Sequence, residues 1–166
     1  MVKQLKYILG LGVMALSLTS CFENPSNLYE GPALVEFKNP RAGFATQPTN
    51  NTANAIRTRT IRQAIGRDSI AVQLVGPQRG VATEIPYTVA ETSTAREGVN
   101  FNFVGTKGTV TIPANSSVGY LILQVLPAIP ATAPATQTVS LALTLTGTEE
   151  IKPSENYKTF TFTIRN

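Results

Sequence analysis

The chain has 166 residues, 14 Lys plus Arg against 10 Asp plus Glu, one cysteine and no histidine or tryptophan. Without histidine, and with a single cysteine, the usual general base, the common zinc ligand sets and every Ser-His-Asp or Cys-His nucleophile are excluded. The net charge of +4 is too modest to point to nucleic acid as a partner.

Lys3 and Lys6 give a positive start, and Tyr7 to Leu18 (YILGLGVMALSL) is a run of twelve nearly all apolar residues. That length suits the core of a signal peptide, since a spanning helix needs about 20 residues. Leu18-Thr19-Ser20 closes the run with small residues, and Cys21 follows at once. These features resemble the lipobox of bacterial lipoproteins, which implies that Cys21 becomes the first mature residue and carries acyl chains such as palmitate on its thiol. Two or three chains at roughly 0.8 kcal/mol per buried CH₂ make such an anchor effectively permanent. Removal of residues 1–20 takes Lys3 and Lys6 with it and lowers the charge from +4 to +2. Phe22 lacks the aspartate that retains some lipoproteins at an inner membrane, so the expectation is an outer-membrane, lipid-anchored envelope protein.

Residues 21–32, from the cysteine through FENPSNLYEGP, read as a tether. Its eleven residues after the cysteine reach at most about 35 to 40 Å, so the domain at 33–166 would lie close to its membrane. From Ala33 onward the apolar residues alternate with period two. Ala33, Val35 and Phe37 share a face; Ile70, Val72 and Leu74 do so in SIAVQLV; TEIPYTVA follows, with Pro86 suggesting an edge or a bulge. GTVTIP and VGYLILQVL come next. Val139, Leu141, Leu143 and Leu145 then alternate with Thr138, Ser140, Ala142 and Thr144, and Phe160, Phe162 and Ile164 alternate with Thr159, Thr161 and Thr163. Helical spacing is absent after the signal. The pattern predicts an all-β domain, an antiparallel immunoglobulin-like sandwich of seven or eight strands, with a closed barrel as the alternative. Residues 39–55 form a long segment without periodicity, and Pro127 to Thr136 is Pro- and Ala-rich and partly extended.

Between Ile85 and Val125 stand Tyr87, Thr94-Ala95, Gly98-Val99-Asn100-Phe101 and Gly108-Thr109-Val110-Thr111-Ile112, followed by the aliphatic run Leu121 to Val125. In order and spacing this stretch resembles the Calx-β domain, with similarity extending from Ile70 to about Leu145. Uncharacterised sandwich lipoproteins of Gram-negative envelopes look similar. Some Calx-β domains bind calcium through acidic loops, and calcium takes six to eight oxygens, mostly from carboxylates. Here Asn100 stands where the family has an aspartate, and LPAIPATAPAT replaces its acidic cluster. The resemblance therefore implies the scaffold with a degenerate calcium site, and no cofactor or metal is expected.

Two clusters remain. Glu84, Glu91 and Glu97 could in principle form a glycosidase pair, but nothing in their spacing marks them out, and no enzyme is expected. Arg41, Arg57, Arg59, Arg62 and Arg67 fall in one segment with no acid between Lys38 and Asp68. If the segment is extended, Arg57 and Arg59 share a face, while Arg62 changes parity. One reading is an edge strand guarded by charge. The other is a patch for acidic sugars, anionic lipid or an acidic protein, since the guanidinium fork pairs both oxygens of a carboxylate or phosphate. With Phe44 as the ring offered by the long loop, the candidate binding residues are Phe44, Arg57, Arg59 and Arg62. The expected role is a lipid-anchored, non-catalytic binding or accessory module, partnered by an outer-membrane protein or a polysaccharide. A stand-alone glycan-binding lipoprotein is the alternative.

Overall fold

The computed structural model describes Tyr29 and residues 31–39, 57–134 and 136–166. Cys21, the signal segment, Arg41 and Phe44 lie outside the described residues. Ten strands follow in chain order. They are β1 (Leu34–Lys38), β2 (Thr58–Arg62), β3 (Arg67–Val75), β4 (Thr83–Val89), β5 (Phe101–Val104), β6 (Thr109–Ile112), β7 (Val118–Val125), β8 (Thr138–Leu145), β9 (Lys152–Pro153) and β10 (Thr159–Arg165). They form two five-stranded sheets, ordered β5-β7-β3-β1-β9 and β2-β10-β8-β4-β6.

The sandwich follows from the alternation. Val35 and Phe37, Ile70, Val72 and Leu74, Leu121, Leu123 and Val125, Leu141, Leu143 and Leu145, and Phe160, Phe162 and Ile164 all point inward and are buried together. Burial of each such side chain stabilises the fold by about 1.5–3 kcal/mol before entropy is counted. The longest pairings, β3 with β7 and β8 with β10, are antiparallel. Two edge pairs, β1 with β9 and β2 with β10, are parallel, which alternation within single strands does not encode.

The chain changes sheet between β2 and β3. A single 3₁₀ turn (Gln63–Ile65) ends at Gly66, whose φ of 68° suits a residue without Cβ, and the corner delivers β3 to the opposite sheet. Gln63 is buried in this corner. Its side-chain amide donates to the Ile129 carbonyl at 2.5 Å, and its carbonyl accepts the Ile129 N–H at 2.9 Å. The Pro/Ala-rich segment is therefore pinned at buried Ile129 and then turns at Pro130–Ala133 and Pro134–Gln137.

Pro86 marks a change of partner, not an edge. β4 pairs with β6 over Thr83–Pro86 and with β8 over Tyr87–Val89. The Pro86 carbonyl still accepts a bond from the Thr146 N–H at 3.0 Å, so the missing donor falls where the ladder switches.

Candidate functional site

The arginine-rich segment divides in a way that removes one candidate from the surface. β2 is an edge strand in which Thr58, Thr60 and Arg62 face solvent while Arg59 and Ile61 face the core. Arg57 precedes the strand and is exposed. Arg59 is only 8% exposed. Its Nη1 donates to Asp68 Oδ1 and Oδ2 at 2.9 and 3.1 Å and to the Ser69 carbonyl at 2.9 Å, and its Nη2 donates to Asn39 Oδ1 at 2.5 Å. The guanidinium carbon lies 5.7 and 5.8 Å from the Phe160 and Phe162 ring centroids. Arg59 is thus an internal tie between the two sheets, because strand parity turns it inward and the inward-facing Asp68 of β3 meets it there. The exposed patch expected from Arg57, Arg59 and Arg62 is reduced to Arg57 and Arg62.

Glu84, Glu91 and Glu97 are all exposed, and Glu97 pairs with Lys107 at 2.5 Å. Among the described residues no three His, Cys, Asp or Glu side chains come together as a metal would require. Asn100 is buried and closes its own loop: its Oδ1 accepts the Arg96 N–H at 2.9 Å and its carbonyl accepts the Leu126 N–H at 2.9 Å. Glu150, next to Glu149 in the β8–β9 turn, meets Arg79 at 2.6 Å.

A cavity lies where the sandwich opens between β4 and the edge strand β5. It encloses about 330 Å³ and is lined by Tyr87, Val89, Ala95, Phe101 and Phe103, with Glu97 and Lys107 among its polar residues. Tyr87 and Phe103 stand 5.4 Å apart at 57°, and Phe101 and Phe103 stand 5.1 Å apart at 79°, both favourable tilted arrangements. Burial pushes the Tyr87 hydroxyl above the ordinary 10.0, and the nearby Glu97 charge adds to this against a Gly108 backbone hydrogen bond. The hydrogen bond and charge of Glu97 raise the Lys107 ammonium above its ordinary 10.5. The cleft is therefore backed by three rings, of which Tyr87 and Phe101 are buried and Phe103 is half-buried, beside one self-paired couple of charges. Its lining suits an apolar or aromatic group.

The sequence reading missed this cleft, although Phe101 and Phe103 sit at alternate positions on the inward face of β5. Alternation marks them as core, which Phe101 is, and only the end of the sheet at β5 leaves Phe103 half-buried at the flank.

The sandwich is a Calx-β-like fold. The Calx CBD1 domain in its apo form superposes with a TM-score of 0.54 at 16% identity, over 81% of this chain and 96% of that one. The Calx CBD2 domain gives 0.50 at 16%, over 80% and 86%. A two-domain protein of unknown function from Bacteroides fragilis gives 0.50 at 10% identity, covering 81% of this chain and 45% of that protein. No protein-family model matches the sequence, and no curated protein does.

Proposed function

We propose that the protein is a lipid-anchored, non-catalytic binding or accessory module of a bacterial cell envelope, held at the outer membrane through Cys21. The observation that carries the binding part is the ring-lined cleft between β4 and β5, whose charges, Glu97 and Lys107, neutralise each other. A site of that kind recognises a group by contact and shape and leaves its bonds intact. The Calx-β-like fold supports the same reading, since the similar Calx domains are themselves binding domains. The anchor rests on the order Lys3, Lys6, apolar core, Cys21, and the short tether keeps the module against its membrane partner.

The test is cross-linking in intact cells followed by purification of the full chain. The expected result is a fatty-acid label lost in Cys21→Ser, together with one stoichiometric membrane protein whose yield falls several-fold in Phe103→Ala. A label that survives Cys21→Ser, or a steady hydrolase rate abolished by changing Glu84, Glu91 or Glu97, would overturn the reading.

A second reading, a stand-alone glycan binder, is favoured by a different observation. Tyr120 is 60% exposed in the middle of a strand, where an aromatic ring gains nothing from the fold.

A further inference from the structure

The outward face of the β1-β3-β7 sheet carries a trough whose chemistry is not used by the cleft. Ala71 on β3 lies directly between Tyr120 on β7 and Lys38 on β1 in the sheet register. Although Ala71 faces outward it is only 8% exposed, so its taller neighbours cover it and their side chains make the surface above it. Neighbouring strands lie about 4.8 Å apart, so Tyr120 and Lys38 rise from backbones about 10 Å apart, a spacing that one or two sugar units span. Gln73 follows Ala71 by two residues along β3, and Arg67 precedes it by four and pairs with Gln124. The trough thus runs along β3 for about 20 Å, with an exposed ring on one wall, amides near both ends, and cations on the opposite wall and at one end.

The charges choose among occupants. Lys38 and Arg67 are exposed, and neither has an ion-pair partner among the described residues. The one acid on this part of the face, Glu36, is half-buried beside Gln73. A neutral glycan would leave both cations without partners, whereas carboxylates on alternate sugar units would meet them. The C–H face of a pyranose is complementary to the negative face of the tyrosine ring, and the amides match hydroxyls in both donor and acceptor sense.

We propose that this face binds an acidic polysaccharide, a sugar ring stacking on Tyr120 over Ala71 with carboxylates meeting Lys38 and Arg67. The proposal rests on the glycan-binding reading above and names its ligand class and its site.

The experiment is affinity electrophoresis of the full chain, purified in detergent, through gels containing polygalacturonate, alginate, hyaluronate or dextran. Retardation is expected in at least one uronate gel and not in dextran. Tyr120→Ala and the double change Lys38→Gln with Arg67→Gln should each weaken it at least tenfold, while Arg165→Gln on the other sheet leaves it unchanged. Tyr120 and both cations are exposed, so the variants should unfold at the same temperature as the parent. No retardation by any uronate polymer, or retardation equal in dextran, would overturn the proposal. So would retardation insensitive to Tyr120→Ala, although that outcome would leave the glycan-binding reading standing on another surface. Binding through Tyr120 to phosphatidylglycerol vesicles in place of any polymer would assign the face to lipid and overturn the glycan.

Discussion

At the scale of the residue, the most consequential side chain is Arg59. A guanidinium taken out of water is costly unless its donors are met, and here Asp68, Ser69 and Asn39 meet those of Nη1 and Nη2 while two phenylalanine rings cover it, Nε having no hydrogen-bond partner among the described residues. Arg59→Met leaves the Asp68 carboxylate buried, with the side chain facing it turned apolar. We expect a loss of about 3 kcal/mol, read as a lowered denaturant midpoint. Arg59→Met combined with Asp68→Leu should cost less than the single change, because the buried carboxylate is then removed together with its arginine. Tyr87 gives the second residue-scale prediction. Its folded-state value is raised by burial, so the unfolded chain ionises first, and the folded state loses stability as pH climbs above 10.0. The Lys107 shift has the same sign, its ion pair with Glu97 being lost above the ordinary 10.5. In a spectroscopic titration Tyr87 should ionise later than an ordinary tyrosine, and Tyr87→Phe should remove that late step. An unchanged curve would place the hydroxyl in water.

At the scale of the element, the two sheets are drawn together along the flank where β6 passes β7. A Cβ built on Gly119 would sit 2.4 Å from the Thr111 carbonyl oxygen, closer than any side chain tolerates. Gly119→Ala should therefore push β6 from β7 and cost about 1–3 kcal/mol, seen as a lowered unfolding temperature. An alanine variant as stable as the parent would mean that the strands separate freely. The β2 edge illustrates a different constraint. Its exposed row of Thr58, Thr60 and Arg62 follows the β10 row of Thr161, Thr163 and Arg165 in parallel register. Charge at the end of this edge discourages a further strand from adding to it, so Arg62 fits the edge-guard reading of the arginine segment, while Arg59 fits neither reading.

At the scale of the whole molecule, the two outward faces differ in kind. The β2-β10-β8 face presents mainly threonines and serine, with arginines at one end, whereas the β1-β3-β7 face presents Tyr120, amides, Glu36 and two cations that have no ion-pair partner among the described residues. Threonine suits a solvated pleated surface and needs no partner. An exposed tyrosine beside two such cations is the less ordinary composition, which is why the ligand is assigned to that side. The cleft between β4 and β5 lies at a flank of the sandwich, so an envelope partner and a glycan could be held at the same time without competing for side chains.

Period-two alternation alone determined the all-β class and the inward faces of β3, β8 and β10, because the pleat forces every second residue into the core whatever its neighbours are, while the Calx-β resemblance rested on the ordered motifs from Tyr87 to Ile112. The same alternation marks Tyr120 as outward, between inward Gly119 and Leu121, so the ring of the proposed glycan site was legible in the sequence. Its setting was not, since Ala71 and Lys38 reach it only through cross-strand register. Tertiary structure also decided the fate of Arg59: a sequence shows an arginine at an inward parity but not the aspartate of the opposite sheet that makes burial tolerable. It decided the cleft too, because an open flank is a property of where β5 ends its sheet and of no residue within β5. Local periodicity fixes which way a side chain points, and only the packing of one sheet on another fixes what it meets.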